Sequence, residues 1–213
     1  GAQLAVTTGM RIAEFSTLLD AEVPPPSSVG ASVLLEACAK YSKRRRVHIP
    51  LSTLRVVDLY RQTERKSVVR ASASSLWARR DELFVVDELD IAAGVVRGRF
   101  GGRRRSWRLH LLPPEVRRIA VIEREHGIEA LGLFVGRGGL PIGLRAWHAT
   151  FAVASQRTIA LGGERMGGRR ARITPHDLRH TFAVVLLKAL TEVALAREAE
   201  RRAGNVGPST LSE

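Results

Sequence analysis

The sequence predicts an α+β fold, mainly helical, with two small β-hairpins. Three observations carry this. Trp147, Phe151 and Val153-Ala154 recur near helical spacing within 144–161. Two pairs of short apolar runs are each split by a turn, one pair over 33–49 and one over 95–112. Thr174-Pro175 supplies an N-cap and a first-turn proline for a helix that passes Ala196 and stops at Gly204.

Taken in order, Leu4 to Thr8 reads as the end of a helix broken at Gly9, and Met10 to Leu19 as the next helix. Pro24-Pro25-Pro26-Ser27-Ser28 is a loop. Val33 to Cys38 reads as a strand, although Leu, Glu and Ala suit a helix equally. The polar turn Lys40 to Lys43 leads to a second strand, Arg45 to Ile49, which Pro50 ends. Ser52 caps a helix reaching Arg65, and a further helix is expected at Leu76 to Leu83. Gly101-Gly102 suits the reversal of the second hairpin. Pro113-Pro114 opens a helix that Gly127 closes. Leu131 to Val135 reads as a short strand before the turn Arg137-Gly138-Gly139. A Gly/Arg-rich loop spans Gly162 to Arg172. No internal repeat is evident.

The chain has 213 residues, a size that suits about one domain. Its 45% hydrophobic and 26% charged content is ordinary for a globular protein with a core. The formal net charge of +13 is not ordinary. A surplus of that size points to a polyanion partner, with nucleic acid ahead of an anionic membrane. Cys38 is the only cysteine, which excludes a disulfide framework and a cysteine metal site and suggests a reducing, cytoplasmic setting. No run of about 18 apolar residues appears, and no signal-peptide pattern opens the chain. The chain begins at Gly1, without an initiator Met, in what reads as mid-helix, so a fragment at both ends is expected.

Three segments carry chemistry. In Thr174-Pro175-His176-Asp177-Leu178-Arg179-His180-Thr181-Phe182, a spacing of three puts His176 and Arg179 on one helix face near a capped N-terminus. Unpaired amides and the helix dipole favour an anion there. Arg11 and Glu14 share that spacing after Gly9, which by itself suggests an intrahelical ion pair. Lys40, Lys43, Arg44, Arg45 and Arg46 crowd one turn, which by itself suggests a solvated or backbone-contacting patch. Brought together, two arginines, a lysine and a histidine would cage one phosphodiester.

In order and separation these segments resemble the tyrosine recombinase (phage integrase) family, whose catalytic fold is shared with type IB topoisomerases. Thr8-Gly9-Met10-Arg11-Ile12-Ala13-Glu14 is similar to the family's T-G-x-R-x-x-E segment. Ala39 to Pro50 aligns without a gap on the family's lysine hairpin, agreeing at Lys40, Lys43, Arg45, Val47, Ile49 and Pro50. Thr174 to Ala183 is similar throughout to T-P-H-x-L-R-H-T-F-A. The resemblance covers Gly1 to about Leu190 and implies one partial catalytic domain over 1–213, with a longer basic segment at 67–113. It implies DNA recombination by transesterification. Arg11 and Arg179 would bind the scissile phosphate, Lys40 would be the general acid, and His176 would assist. Glu14 and His180 would support the site.

The resemblance further implies a double-stranded DNA partner, no cofactor, no metal, no membrane and no small-molecule substrate. The implied assembly is a monomer when free and a tetramer on DNA for the full-length protein; the implied location is the bacterial cytoplasm, at the nucleoid. Lys43, Arg44, Arg45, Arg103, Arg104 and Arg105 are expected to contact DNA. Arg97, Arg99 and Arg108 extend Arg103–Arg105 along the same hairpin, with Phe100 and Trp107 interleaved; the set reads equally as a track for a DNA backbone and as a solvated hairpin with two aromatics in the core.

Two departures stand out. Ala39 and Tyr41 replace the glycines that flank the family's lysine, which leaves Lys43 as the alternative acid. The only tyrosines are Tyr41 and Tyr60, so the nucleophile expected after Arg179 is absent and the polypeptide alone is expected not to cleave DNA. The alternative reading is a non-catalytic DNA-binding remnant of an integrase. A remoter one treats His176-Asp177-Leu178-Arg179-His180 as a zincin motif, with Glu200 as third ligand.

Overall fold

The computed structural model describes residues 1–125, 127–162 and 172–204. It is a mixed fold of helices and two sheets. Helix α1 (Ala2–Thr8) ends at Gly9, whose φ of 63° is the left-handed conformation that closes a helix, and the Gly9 amide donates to the Ala5 carbonyl. The next helix, α2, covers only Ile12–Phe15 instead of the expected Met10 to Leu19. The chain leaves the helix there because Leu18 and Leu19 are drawn into the core, and Leu19 bridges to Gly132.

Strands β1 (Ala31–Leu35) and β2 (Arg45–Ile49) form the first hairpin, with Leu35 opposite Arg45 and Val33 opposite Val47. The expected strand to Cys38 stops at Leu35. Helix α3 (Leu51–Tyr60) starts after Pro50 and runs through a π-helical stretch, Arg61–Arg65, into α4 (Lys66–Ala78). The two separate helices expected here are thus one long helical run, and Leu83 no longer belongs to it.

Strands β3 (Phe84–Asp90), β4 (Val95–Phe100), β5 (Arg103–Arg108), β6 (Ala120–Arg124) and β7 (Gly127–Ala130) build one sheet in the order β5-β4-β3-β6-β7. The second expected hairpin, β4–β5, is therefore the edge of a five-stranded sheet. The expected helix from Pro113 to Gly127 is a correction as well. Pro114–Arg117 makes a single turn, α5, and Ala120, Val121 and Ile122 then enter the sheet beside β3, as the buried β-branched pair Val121 and Ile122 favours. Instead of a strand, Leu131 to Val135 makes isolated bridges, Leu19 to Gly132 and Val135 to Pro141.

One sheet face carries Phe84, Val86, Val96, Ala120 and Ile122 against Leu19, Leu109 and Leu112. The other carries Val85, Val121 and Ile128 against Leu76 of α4. Arg117, 1% exposed, is held inside by Glu22 at 2.6 and 2.8 Å and by the carbonyls of Leu109, Leu112 and Thr17. Burial works against its charge, but Glu22 outweighs burial and keeps it above the ordinary arginine range.

The main core joins α1, α2, the β1–β2 hairpin and α6 (Leu144–Gly162). Trp147 packs edge-on against Phe15 and Phe134, with ring centroids 5.2 and 5.3 Å away. The Gly/Arg-rich loop expected at 162–172 lies almost wholly outside the described residues. Beyond it, the Ile173 amide donates to Ser155 Oγ of α6 at 2.9 Å and so pins the start of α7 (Pro175–Gly204). From Val184 onward, α7 exposes Val185, Leu187, Leu190 and Leu195.

A candidate phosphate-binding site

Three elements bring the site together. Gly9 has a positive φ, and a Cβ placed there would lie 2.4 Å from Phe182 Cδ1 of α7. A glycine is needed twice over: by the left-handed backbone and by the close approach of Phe182. That approach lets Arg179 Nη1 donate to the Gly9 carbonyl oxygen. The first and third sequence segments therefore meet in space, although 170 residues separate Gly9 from Arg179.

Arg11 follows in extended conformation and caps α2. Its amide donates to Glu14 Oε2 at 2.7 Å and its Nη1 to Oε1 at 3.1 Å. Glu14 is fully buried. Its second cationic partner comes from the hairpin: Arg45 Nη2 donates to Oε2 at 2.6 Å. A buried carboxylate is tolerable only when paired in this way. Arg179 lies beside the pair. Burial first, then the neighbouring Arg11 charge, lowers its pKa from the ordinary arginine range; Glu14 opposes and Arg45 adds in the same sense. Arg11 and Arg45 thus grip one carboxylate while Arg179 is held on the Gly9 carbonyl nearby, and the surplus positive charge is what an anion would neutralise.

Arg45 was expected only as a DNA contact, and its place beside Glu14 is the main residue missed from the sequence. A signal was available: Arg45, Val47 and Ile49 alternate on one strand face, and the last two are buried. An arginine in phase with two inward residues points inward.

His176 and His180 occupy the first turns of α7, with Thr174 as cap. The Thr174 amide donates to Asp177 Oδ2 at 2.8 Å, and the Asp177 amide donates back to Thr174 Oγ1 at 3.3 Å. The two imidazoles meet edge-on, Nε2 to Nε2 at 2.8 Å, so at least one Nε2 must be unprotonated to accept. Glu200 cannot join them as a metal ligand. It sits 24 residues along the same helix from His176, about 36 Å at 1.5 Å per residue. Among the described residues no three His, Cys, Asp or Glu side chains converge to hold a metal.

Lys40 lies in the β1–β2 turn, with Nζ 4.8 Å from the Tyr41 ring centroid. Among the described residues no hydrogen bond or ion pair links Lys40 or Lys43 to Arg11, Glu14 or Arg179. Tyr41 (φ 60°) and Ser42 (φ 50°) are both left-handed, a conformation uncommon outside glycine. The position where the resembled family carries glycine is thus one where glycine is conformationally favoured. Arg44 lies 3.8 Å from Glu36. Arg103, Arg104 and Arg105 are exposed on edge strand β5.

No protein-family model matches this chain, and no curated protein matches it. Among solved structures it is similar to the Tn1549 transposon integrase in complex with transposon right end DNA, with a TM-score of 0.42 and 14% identity. The match covers 88% of this chain and 45% of that one, so the chain spans less than half the length of that relative. A likeness at this level decides neither the family nor the chemistry. Among the described residues no helix is long and apolar enough to cross a membrane.

Proposed function

We propose that this chain is the phosphate-handling part of a tyrosine-type site-specific recombinase acting on double-stranded DNA. The observation that carries the reading is the pairing of Arg11 and Arg45 with buried Glu14 while Arg179 donates to the Gly9 carbonyl two residues before Arg11, all within segments that resemble the family. Arg11 and Arg179 bind the non-bridging oxygens of one phosphodiester and stabilise the added charge of the pentacoordinate transition state. Glu14, gripped by Arg45, holds Arg11 in place.

In the transesterification a tyrosine oxygen forms a bond to phosphorus while the bond from phosphorus to the 5′ oxygen breaks. Lys40 gives that oxygen its proton, and His176, supported by His180, receives the proton of the nucleophile. This assigns Lys40 a contact that forms with DNA bound. The 213 residues contain no tyrosine beyond Tyr60. The polypeptide alone therefore binds the phosphodiester without cleaving it. Lys43, Arg44, Arg103, Arg104 and Arg105 contribute backbone contacts.

The test is the salt dependence of duplex binding, read by fluorescence anisotropy. Replacing Arg11 and Arg179 together by Ala should lower the slope of log K against log salt by about 0.9, because both arginines neutralise one phosphate. An unchanged slope in a folded variant overturns the proposal.

A further inference from the structure

The long helical run α3–α4 and strands β6 and β7 line an open groove of about 1200 Å³. It shares no residue with the Arg11–Glu14–Arg45–Arg179 cluster. Arg61, Arg65, Lys66 and Arg70 line one wall, Arg124 lines the other, and Glu129 is the acid among the lining residues.

The commitments of these cations differ. Arg61 Nε donates to Asp20 Oδ1 at 2.7 Å, and Arg65 Nη2 donates to the Ala130 carbonyl at 2.8 Å. Arg65 Nε lies 3.9 Å from the same Asp20 carboxylate. Arg124 pairs with Glu129 at 3.4 Å. Two carboxylates, Asp20 and Glu129, thus serve three arginines. Lys66 and Arg70 make no hydrogen bond or ion pair among the described residues, yet they stand one turn apart on the same exposed helix face.

Like charges at that spacing repel. The helix directly before them is π-helical over Arg61–Arg65, a conformation that proteins concentrate at functional sites. The walls close at Gly127, where a Cβ would stand 3.3 Å from Ala73 Cβ, and Val69 and Ile128 add aliphatic surface.

We propose that this groove is a second anion site, in which Lys66 and Arg70 take a phosphate group. The phosphate belongs either to a nucleic-acid backbone or to a free phosphate-bearing ligand, and both offer the same charge and acceptor oxygens. The inference stands apart from the recombinase reading, because it uses neither the guanidinium cluster nor the hairpin lysine.

The test compares the intact chain with a Lys66→Ala/Arg70→Ala variant, using a mixed-sequence duplex of about 20 base pairs and, separately, tripolyphosphate. Both replaced side chains are exposed and, among the described residues, unpaired, so the variant should fold with a Tm close to that of the intact chain. A duplex salt slope lower by about 0.9, one phosphate neutralised, identifies a nucleic-acid backbone as the occupant. A loss of at least about tenfold in tripolyphosphate affinity, with the duplex slope unchanged, identifies a free phosphate ligand. If both change, the groove accepts phosphate from either source. Equal binding by the two proteins for both probes overturns the proposal, as does failure of the intact chain to bind either. An Arg11→Ala/Arg179→Ala variant run alongside keeps the two readings separate. An unchanged slope in that variant counts against the recombinase reading and leaves the groove standing.

Discussion

Gly9→Ala should undo the meeting of α1 and α7, and the geometry says by how much. A left-handed backbone costs an alanine about 1–2 kcal/mol. The new methyl would lie 2.4 Å from Phe182 Cδ1 and 2.7 Å from Cε1, well inside contact distance. Overpacking of that kind costs about 1–3 kcal/mol. Together these give about 2–5 kcal/mol, and a chain of this size loses about 2–4 °C in Tm per kcal/mol. A drop of roughly 4–20 °C in a calorimetric scan is therefore expected. The two contributions separate in a double-mutant cycle. In a Phe182→Ala background the overlap is gone and only the backbone cost remains, so Gly9→Ala should then cost about 1–2 kcal/mol. Duplex affinity should also fall in the single variant, because Arg179 donates to the Gly9 carbonyl and moves with it. Equal costs of Gly9→Ala in both backgrounds would refute the claim that Phe182 seats α7 on this glycine.

Arg117→Met leaves Glu22 buried without its cation and should destabilise by about 3–5 kcal/mol; the Arg117→Met/Glu22→Gln pair should recover part of that in urea unfolding, and no recovery would sink the argument. The hydrogen bonds from Thr174 hold the Asp177 carboxyl below the usual aspartate range. A lowered carboxylate pKa contributes stability that is complete above the unfolded value, about 3.9, and is lost as pH falls through the folded value. Thr174→Ala should raise the Asp177 midpoint in an NMR titration, and a midpoint that stays put would show that Thr174 is not the cause.

The site was more legible than the scaffold that carries it. Thr8-Gly9, Arg11 and Glu14 read as a unit because a helix stop and a three-residue spacing are local facts, and the capped start at Thr174-Pro175 is equally local. The strands of the larger sheet read poorly. Ala120-Val121-Ile122 follows a proline pair that signals a helix start, and only pairing with Phe84-Val85-Val86 reveals it as a strand. A parallel partner some 36 positions away leaves no mark in a short window. The long helical run reads as ending at Arg65 for a related reason: local signals do not carry a helix across a π-helical stretch, so only Leu76 onward reads as helical again.

The sequence by itself determined which groups are at hand: a strongly basic chain, an Arg11–Glu14 unit, a capped helix carrying His176 and Arg179, and no tyrosine beyond Tyr60. These follow from composition and from spacings within a few residues, where backbone geometry is nearly fixed. Only the tertiary structure decided which cations converge. It joined Arg45 to Glu14 and set Arg179 on Gly9, while leaving Lys40 over Tyr41. It also opened a basic groove beside α4 that no local pattern announces. The physical reason is common to all of these. Convergence is set by which apolar faces bury together, and in this chain the burying partners lie tens to well over a hundred residues apart.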